Sequence, residues 1–379
     1  MPAALEDLRV LDFSRVLAGP FATMMLADLG AQVLKVERPP HGDDTRGWGP
    51  PFHPTGDATY FMAVNRNKTS VALDLADADD LAHAQALAAG ADVLVENFRP
   101  GVMDGLGLGY EALSAANDSL VYCSITGFGR RAGASLPGYD MLVQALGGLM
   151  SITGEPGREP QKVGVALVDV LAGLFATVGI LAALRHRDAT GRGQRVEVNL
   201  LSALLASLAN QASAFTAAGE VPGPMGNQHP SIAPYELLPC AEGDLVLAVG
   251  TDRQFAALCG VIEAPQIARD PRYATNADRV TNRTELREAL VAALAARPAT
   301  AWAQALTAAR VPAGVVNDLS GAFALARSLG MEPVVELERS DGPPVRLTRN
   351  PIELSRTPPS YRTAPPAMPA PGARRVGWE

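Results

Sequence analysis

Short apolar strands and helical stretches alternate from Arg9 to Ile125, and this alternation restricts the chain to a parallel sheet joined by crossover helices. Residues 9–13 (RVLDF) read as a strand. SRVLAGPFATMMLADLG follows as a turn and a helix ending at Gly30, and AQVLKVER as a second strand. Further strands are expected over residues 70–75, 92–97 and 120–125, with helices between them. In such a sheet a ligand sits beyond the carboxyl ends of the strands. Those ends carry Arg15 to Gly19, Arg38, Asn97 to Arg99 and Thr126 to Gly129. The glycine fingerprint G-x-G-x-x-G is missing from the first turn, where Gly19 and Pro20 stand, and this argues against a nicotinamide or flavin dinucleotide.

At 379 residues the chain exceeds one ordinary core, so two domains are expected. Residues 219–234 hold four prolines and three glycines and mark the boundary. The expected organisation is a Rossmann-like, doubly wound α/β domain over residues 1–218, a linker over 219–234 and a smaller α+β domain over 235–330. Residues 331–379 return to the large domain and end in a proline-rich tail expected to be extended or disordered. The net charge is −8 and no block of like charges stands out, so a nucleic-acid partner is not expected, while a local basic pocket for a small anion stays open. Cys123, Cys240 and Cys259 form no C-x-x-C pair, and the five histidines show no metal-ligand spacing, so no metal site is expected. The N-terminal MPAALEDLRVLDF lacks a basic segment before an apolar core, so no signal peptide is read there and a cytoplasmic location is expected.

From Val163 to Leu184 the chain carries a single charged residue, Asp169. A membrane span is not expected, because Asp169 interrupts the run and Arg185 and Arg187 end it; the segment reads as a buried helix. On a helical wheel Asp169 shares a face with Ala172, Gly173, Ala176 and Ala183, opposite Leu171, Leu174, Phe175, Val178 and Leu181. A small-residue face lets another backbone or a ligand approach, and a first-turn carboxylate lies near the positive end of the helix dipole. Two roles are open to Asp169 on these grounds: a helix cap, or a reacting group.

Several motifs in joint order resolve that choice by likeness. RVLDFSRVLAGP, VLKVERP with GDDTRGW, NRNKTSVALDL, ADVLVENFRPG, ITGFG, the GYD at Gly138 to Asp140, the Asp169 segment and TGRGQRVEV together resemble the class III acyl-CoA transferases, the formyl-CoA and carnitine type, over residues 8–355. Within that family GDDTRGWGPPF, YCSITGFG, GLMSITGEPG, GVALVD and NQHPSIAPYE look most like the branch that moves CoA between dicarboxylic acids such as succinate, hydroxymethylglutarate and glutarate.

The resemblance implies that Asp169 is a nucleophile that carries first an acyl group and then coenzyme A. It implies acyl-CoA and carboxylic-acid substrates, no cofactor beyond coenzyme A itself, and a homodimer of interlocked chains with no membrane or nucleic-acid partner. Matching positions imply that Val16, Leu17 and Ala18 meet the thiol arm, that Arg38, Leu73 and Ala76 lie at the adenosine and its phosphate, and that Asn97, Phe98 and Arg99 lie near the pantetheine. Tyr139 and Asp140 belong to the GYD motif, and a packing role for Tyr139 stays open. The glycine run of the formyl-CoA enzymes is missing, and the Asn227–Pro230 turn is expected in its place. A far carboxylate calls for a cation, and Arg46, Arg130 and Arg131 are candidates, with Arg46 preferred because Trp48 beside it could shape the pocket. His229 is a further candidate acid or base. Two alternatives remain at this stage: a 2-methylacyl-CoA racemase, disfavoured because Tyr139 stands where racemases carry His, and a non-catalytic acyl-CoA-binding protein. The last residues, PPAMPAPGARRVGWE, depart from the family's usual ending.

Overall fold

The computed structural model describes residues 3–369 and 377–378. Its contacts divide the chain into two units: Met1–Leu149, Lys162–Glu220 and Glu332–Glu379 form the first, and Met150–Gln161 with Val221–Met331 the second. The segment 150–161, read from sequence as part of the large domain, therefore belongs to the second unit. The helix expected from Tyr139 to Met150 runs only from Asp140 to Leu146, and Gly148 follows at φ 85°, where the chain turns away.

In the first unit β1 (Arg9–Asp12), β2 (Gln32–Glu37), β3 (Lys68–Ala72), β4 (Val93–Glu96), β5 (Val121–Thr126) and β6 (Arg195–Asn199) form one parallel sheet in the order β3-β2-β1-β4-β5-β6. The central strands are buried along nearly their whole length because both faces are covered. Side-chain alternation splits the core accordingly. Val10, Val33, Val93 and Cys123 pack with helices Ala18–Asp28 and Leu167–Thr190, while Leu11, Leu34, Leu94 and Tyr122 pack with helix Ala78–Ala89. The chain builds β1, β2 and β3 outward and then returns to lay β4 on the other side of β1. The sheet's switch point, and the crevice it opens, lie beyond the ends of β1 and β4.

The long helix, Leu167–Thr190, is the helix expected over this run, buried along one face. By length and composition it could cross a membrane, yet half of its apolar window is buried inside the chain. The small face is the buried one: Ala172, Gly173, Ala176 and Ala183 face the core, whereas Leu174, Phe175 and Val178 are exposed. Close approach explains the choice. A Cβ on Gly173 would stand 2.6 Å from the carbonyl oxygen of Ala18, so only glycine lets the two helices meet there. The helix expected over residues 200–217 is likewise two helices, Leu200–Ser207 and Ala209–Ala218, bent by 84° where Ala209 takes φ 44°.

The second unit is built on the antiparallel sheet β7 (Tyr235–Pro239), β8 (Asp244–Ala248) and β9 (Ala313–Val315). Leu286 and Leu290 of helix Arg283–Leu294 and Trp302 of helix Ala299–Ala308 pack with Leu238, Leu245 and Leu247 of this sheet. Back in the first unit, β10 (Val334–Leu337) and β11 (Val345–Thr348) pair as a hairpin. The tail is extended as expected but packed up to the last described residues. Arg362 donates to the carbonyls of Ala27, Gly30 and Ala31 around the end of the first helix, and Asn67 bonds the backbone of Ser360, Arg362 and Thr363. Residues 370–376 lie outside the described residues.

Candidate active site

The crevice at the switch point is a cavity of about 250 Å³ within the first unit. Residues 15–18 beyond β1, 97–100 beyond β4, 125–127 at the end of β5 and 136–139 line it, together with Asp44, Asp169 and Leu200. Of the residues singled out from sequence, Asp169, Val16, Leu17, Ala18, Asn97, Phe98, Arg99 and Tyr139 are thus brought together. Two glycines close one wall: a Cβ on Gly127 would stand 2.4 Å from the Cα of Gly138, so neither position admits a side chain without moving the other. They come from the ITGFG and GYD motifs, whose side-by-side packing the sequence alone does not display.

Asp169 occupies the first turn of the long helix, whose N-cap, Ala166, has no side chain to offer. Asp140 serves instead from the start of a neighbouring helix. Its Oδ2 accepts from the amides of Val168 at 2.7 Å and Asp169 at 3.2 Å, and its Oδ1 accepts from Gln144 Nε2 at 2.5 Å. Gln144 is fully buried and accepts in turn from the Val163 amide at 2.9 Å, which ties down the strand of chain leading into the helix. Asp140 therefore does not line the cavity; it fixes the turn that presents Asp169. The helix dipole alone would lower the Asp169 pKa. Burial and then the neighbouring charge of Asp140 outweigh it and push the carboxyl up to about 7.

Tyr60, not singled out from sequence, lies in a short helix, Thr59–Met62. Burial, and then the charges of Asp169, Asp140 and Asp43, push its phenol up to about 12. Trp48 stands against it edge to face at 5.6 Å and is 43% exposed. Arg15, read from sequence only as part of a strand end facing the ligand, is brought to the same place. It lies at the cavity edge, 3.4 Å from Asp44, with its guanidinium 5.2 Å from the centre of the Phe98 ring. Arg15 and Arg99 are the cations that line the cavity.

Other residues singled out from sequence lie outside the cavity lining. Arg46 is 7% exposed and bonds Glu37 through Nε at 2.8 Å and Nη2 at 2.7 Å, with Asp57 at 3.0 Å from Nη1, so its charge is already matched. Glu37 is buried in that pair. Leu73 is a core residue, 1% exposed, and offers no side chain to a ligand. Arg38 and Ala76 do not line the cavity; both are exposed, Arg38 lying 3.9 Å from Asp74. Arg130 pairs with Asp104 and Glu197, and Arg131 is exposed outside the cavity lining. His229 belongs to the second unit, where its ring lies 5.2 Å from that of Tyr235 and its Nδ1 accepts from the Ser231 amide. The Asn227–Pro230 turn lies in that unit too. Among the described residues no group of three or more His, Cys, Asp or Glu is placed to hold a metal ion.

The chain resembles known CoA-transferases over nearly its whole length. The model of "CoA-transferase family III" matches residues 5–372. The chain is 42% identical over 370 residues to a succinate–glutarate CoA-transferase of Agrobacterium fabrum, covering 96% of this chain and 92% of that one. It is 40% identical over 352 residues to an acetyl-CoA:oxalate CoA-transferase of Acetobacter aceti, covering 92% and 89%. A crystal structure of a CAIB/BAIF family protein from Brucella suis superposes with a TM-score of 0.85 at 40% identity, covering 97% of each chain.

Proposed function

Because the chain belongs to CoA-transferase family III, we propose that it moves coenzyme A between dicarboxylic acids with Asp169 as the covalent carrier. That it is a CoA-transferase acting on carboxylic acids rests on relatives alike over nearly its whole length. Succinate and glutarate are the acids named in the bacterial relative at 42% identity, and succinyl-CoA with glutarate is the substrate pair we assign. The observation that carries the route is the cavity-facing carboxylate of Asp169, poised by burial to change charge near pH 7.

The steps balance without a further reagent. The Asp169 carboxylate attacks the thioester carbonyl, the C–S bond breaks, and a mixed anhydride forms with free CoA thiolate. The thiolate attacks the aspartyl carbonyl, releasing the first acid as its carboxylate and leaving CoA as an aspartyl thioester. The incoming acid attacks that thioester and forms a second anhydride. The thiolate returns to its acyl carbonyl, which restores Asp169 and releases the new thioester. Each intermediate keeps the energy of the activated acyl bond, so coenzyme A suffices and no metal or redox group is assigned. Val16, Leu17, Ala18 and the 97–99 turn are assigned to the thiol arm, on the ground that they and Asp169 share one cavity.

Mass spectrometry of the protein mixed with succinyl-CoA and trapped with hydroxylamine is expected to find Asp169 modified. The initial rate of modification should rise with pH through about 7, because the carboxylate is the attacking form. In Asp140→Asn the rise should fall at lower pH, since a like charge is removed. Modification of another residue, or none under trapping, would sink the carrier role.

A homodimer, interlocked as the family resemblance implies, is also proposed. Its support is the apolar surface left open on the first unit: Leu174, Phe175 and Val178 of the long helix, with Met141, Leu146 and Phe215 exposed on neighbouring helices. Light scattering should return twice the 39.6 kDa chain mass at micromolar concentration; a monomer there would count against it. The cytoplasmic location read from sequence stands as part of the same proposal.

A further inference from the structure

We infer that the buried ion pair Lys35–Asp43 is a positioning device for CoA transfer, which holds Val16 in a left-handed backbone conformation and with it the edge of the cavity assigned to the thiol arm. The inference rests on that assignment. Val16 has φ 70°, a value that L-residues rarely take and that a β-branched side chain takes only under constraint. Non-glycine residues with positive φ also occur at Asn67, Ala209, Glu263 and Arg310, but none of those lines the cavity.

The constraint comes from the loop after β2. Asp43 Oδ1 accepts from the Val16 amide at 3.3 Å and from the Thr45 amide and hydroxyl at 3.0 and 2.8 Å. Lys35, in β2, reaches the same turn from the other side: its Nζ donates to the Ser14 carbonyl at 2.8 Å. The two side chains meet at 2.9 Å between Nζ and Asp43 Oδ2, both wholly shielded from water. That contact is an ion pair off hydrogen-bond geometry, and Asp43 Oδ2 has no hydrogen bond of its own. The pair thus grips the chain two residues apart, at the Ser14 carbonyl and the Val16 amide. On the opposite side Asn97 fixes Arg15 by a reciprocal bond, its Oδ1 accepting from the Arg15 amide at 2.9 Å and its Nδ2 donating to the Arg15 carbonyl at 2.7 Å.

A buried Lys–Asp pair is often no better for stability than an apolar pair of the same shape. Its particular product here is the direction in which two fixed groups pull. Asp44, next to Asp43, lines the cavity 3.4 Å from Arg15, so the same anchor sets the position of that residue as well.

The test is coupling between the pair and the strain, read as CoA affinity of the full chain by calorimetry. Lys35→Met should weaken CoA binding about tenfold, or ~1.4 kcal/mol, where residue 16 is Val. In a Val16→Gly background, where glycine takes φ 70° without strain, the same substitution should cost less than about threefold. Asp43→Asn, which keeps the side-chain shape, should repeat the pattern and carries the test if Lys35→Met does not fold. Equal losses in both backgrounds, or unchanged affinity with Val at position 16, would overturn the inference. The readout is binding, so it is independent of turnover: a parent chain that binds CoA yet transfers none would refute the proposed function and leave this test standing.

Discussion

Asp169→Asn is expected to reduce transfer from succinyl-CoA to glutarate by at least about 10⁴-fold while making the folded protein more stable at pH 8. The kinetic part follows from chemistry: an amide oxygen cannot form the anhydride, and no other group takes over once a covalent carrier is lost. The stability part follows from the displaced titration. Burial, then Asp140, holds the folded carboxyl at about 7 against an ordinary value of 3.8, so the folded state disfavours the charged form. Above pH 7 the carboxylate therefore destabilises the fold by roughly 2–4 kcal/mol, allowing for solvent at the cavity mouth. As pH falls from 7 towards 4 the folded protein takes up a proton that the unfolded chain does not, and the cost disappears. Melting curves should accordingly separate parent and variant at pH 8 and converge as pH approaches 4. A variant that retains activity overturns the carrier assignment; one that is inactive but less stable at pH 8 overturns the reading of Asp169 as a strained, buried acid.

The parts of this site that local pattern encodes were legible in the sequence. Alternating strands and helices gave a parallel sheet with its crevice beyond the strand ends, and the cavity lies there, lined by residues 15–18 and 97–100. The lone carboxylate on a small-residue face likewise led to a helix turn that can approach another backbone, and Gly173 meets the Ala18 carbonyl. What stayed hidden depends on partners distant in sequence. No spacing rule links Asp140 to the amides of Val168 and Asp169, or shows that the large apolar face of that helix points outward. Tyr60 enters the field of Asp169 through a loop whose path is set by Asp43, Arg46 and the tail. Charged residues were the hardest to read, because a sequence shows a cation but not whether an anion already holds it.

Arg46 tests that last point, since its two readings predict different losses. As a reader of the substrate's far carboxylate, Arg46→Met would raise the KM for glutarate and leave the fold intact. As the partner of Glu37 and Asp57, its loss should lower unfolding free energy by roughly 3–5 kcal/mol, because Glu37, 2% exposed, would lose its ion-pair partner and keep only the Ser70 hydroxyl and the Asp43 amide. Burial pushes the Glu37 carboxyl up, but bonds and charge from Arg46, with help from Lys35 and Ser70, hold it below the usual range. Losing Arg46 removes the largest of these opposing contributions. Glu37→Gln in the Arg46→Met background should then recover part of the loss, since a neutral amide costs less to bury than a stranded carboxylate. Arg46 Nη2 also donates to the Pro366 carbonyl at 3.1 Å, so the tail should become more accessible to protease in the single variant. Urea unfolding of the parent, the two single variants and the double variant measures the coupling. An additive cycle with an unchanged midpoint for Arg46→Met, joined to a raised KM for glutarate, would return Arg46 to the substrate.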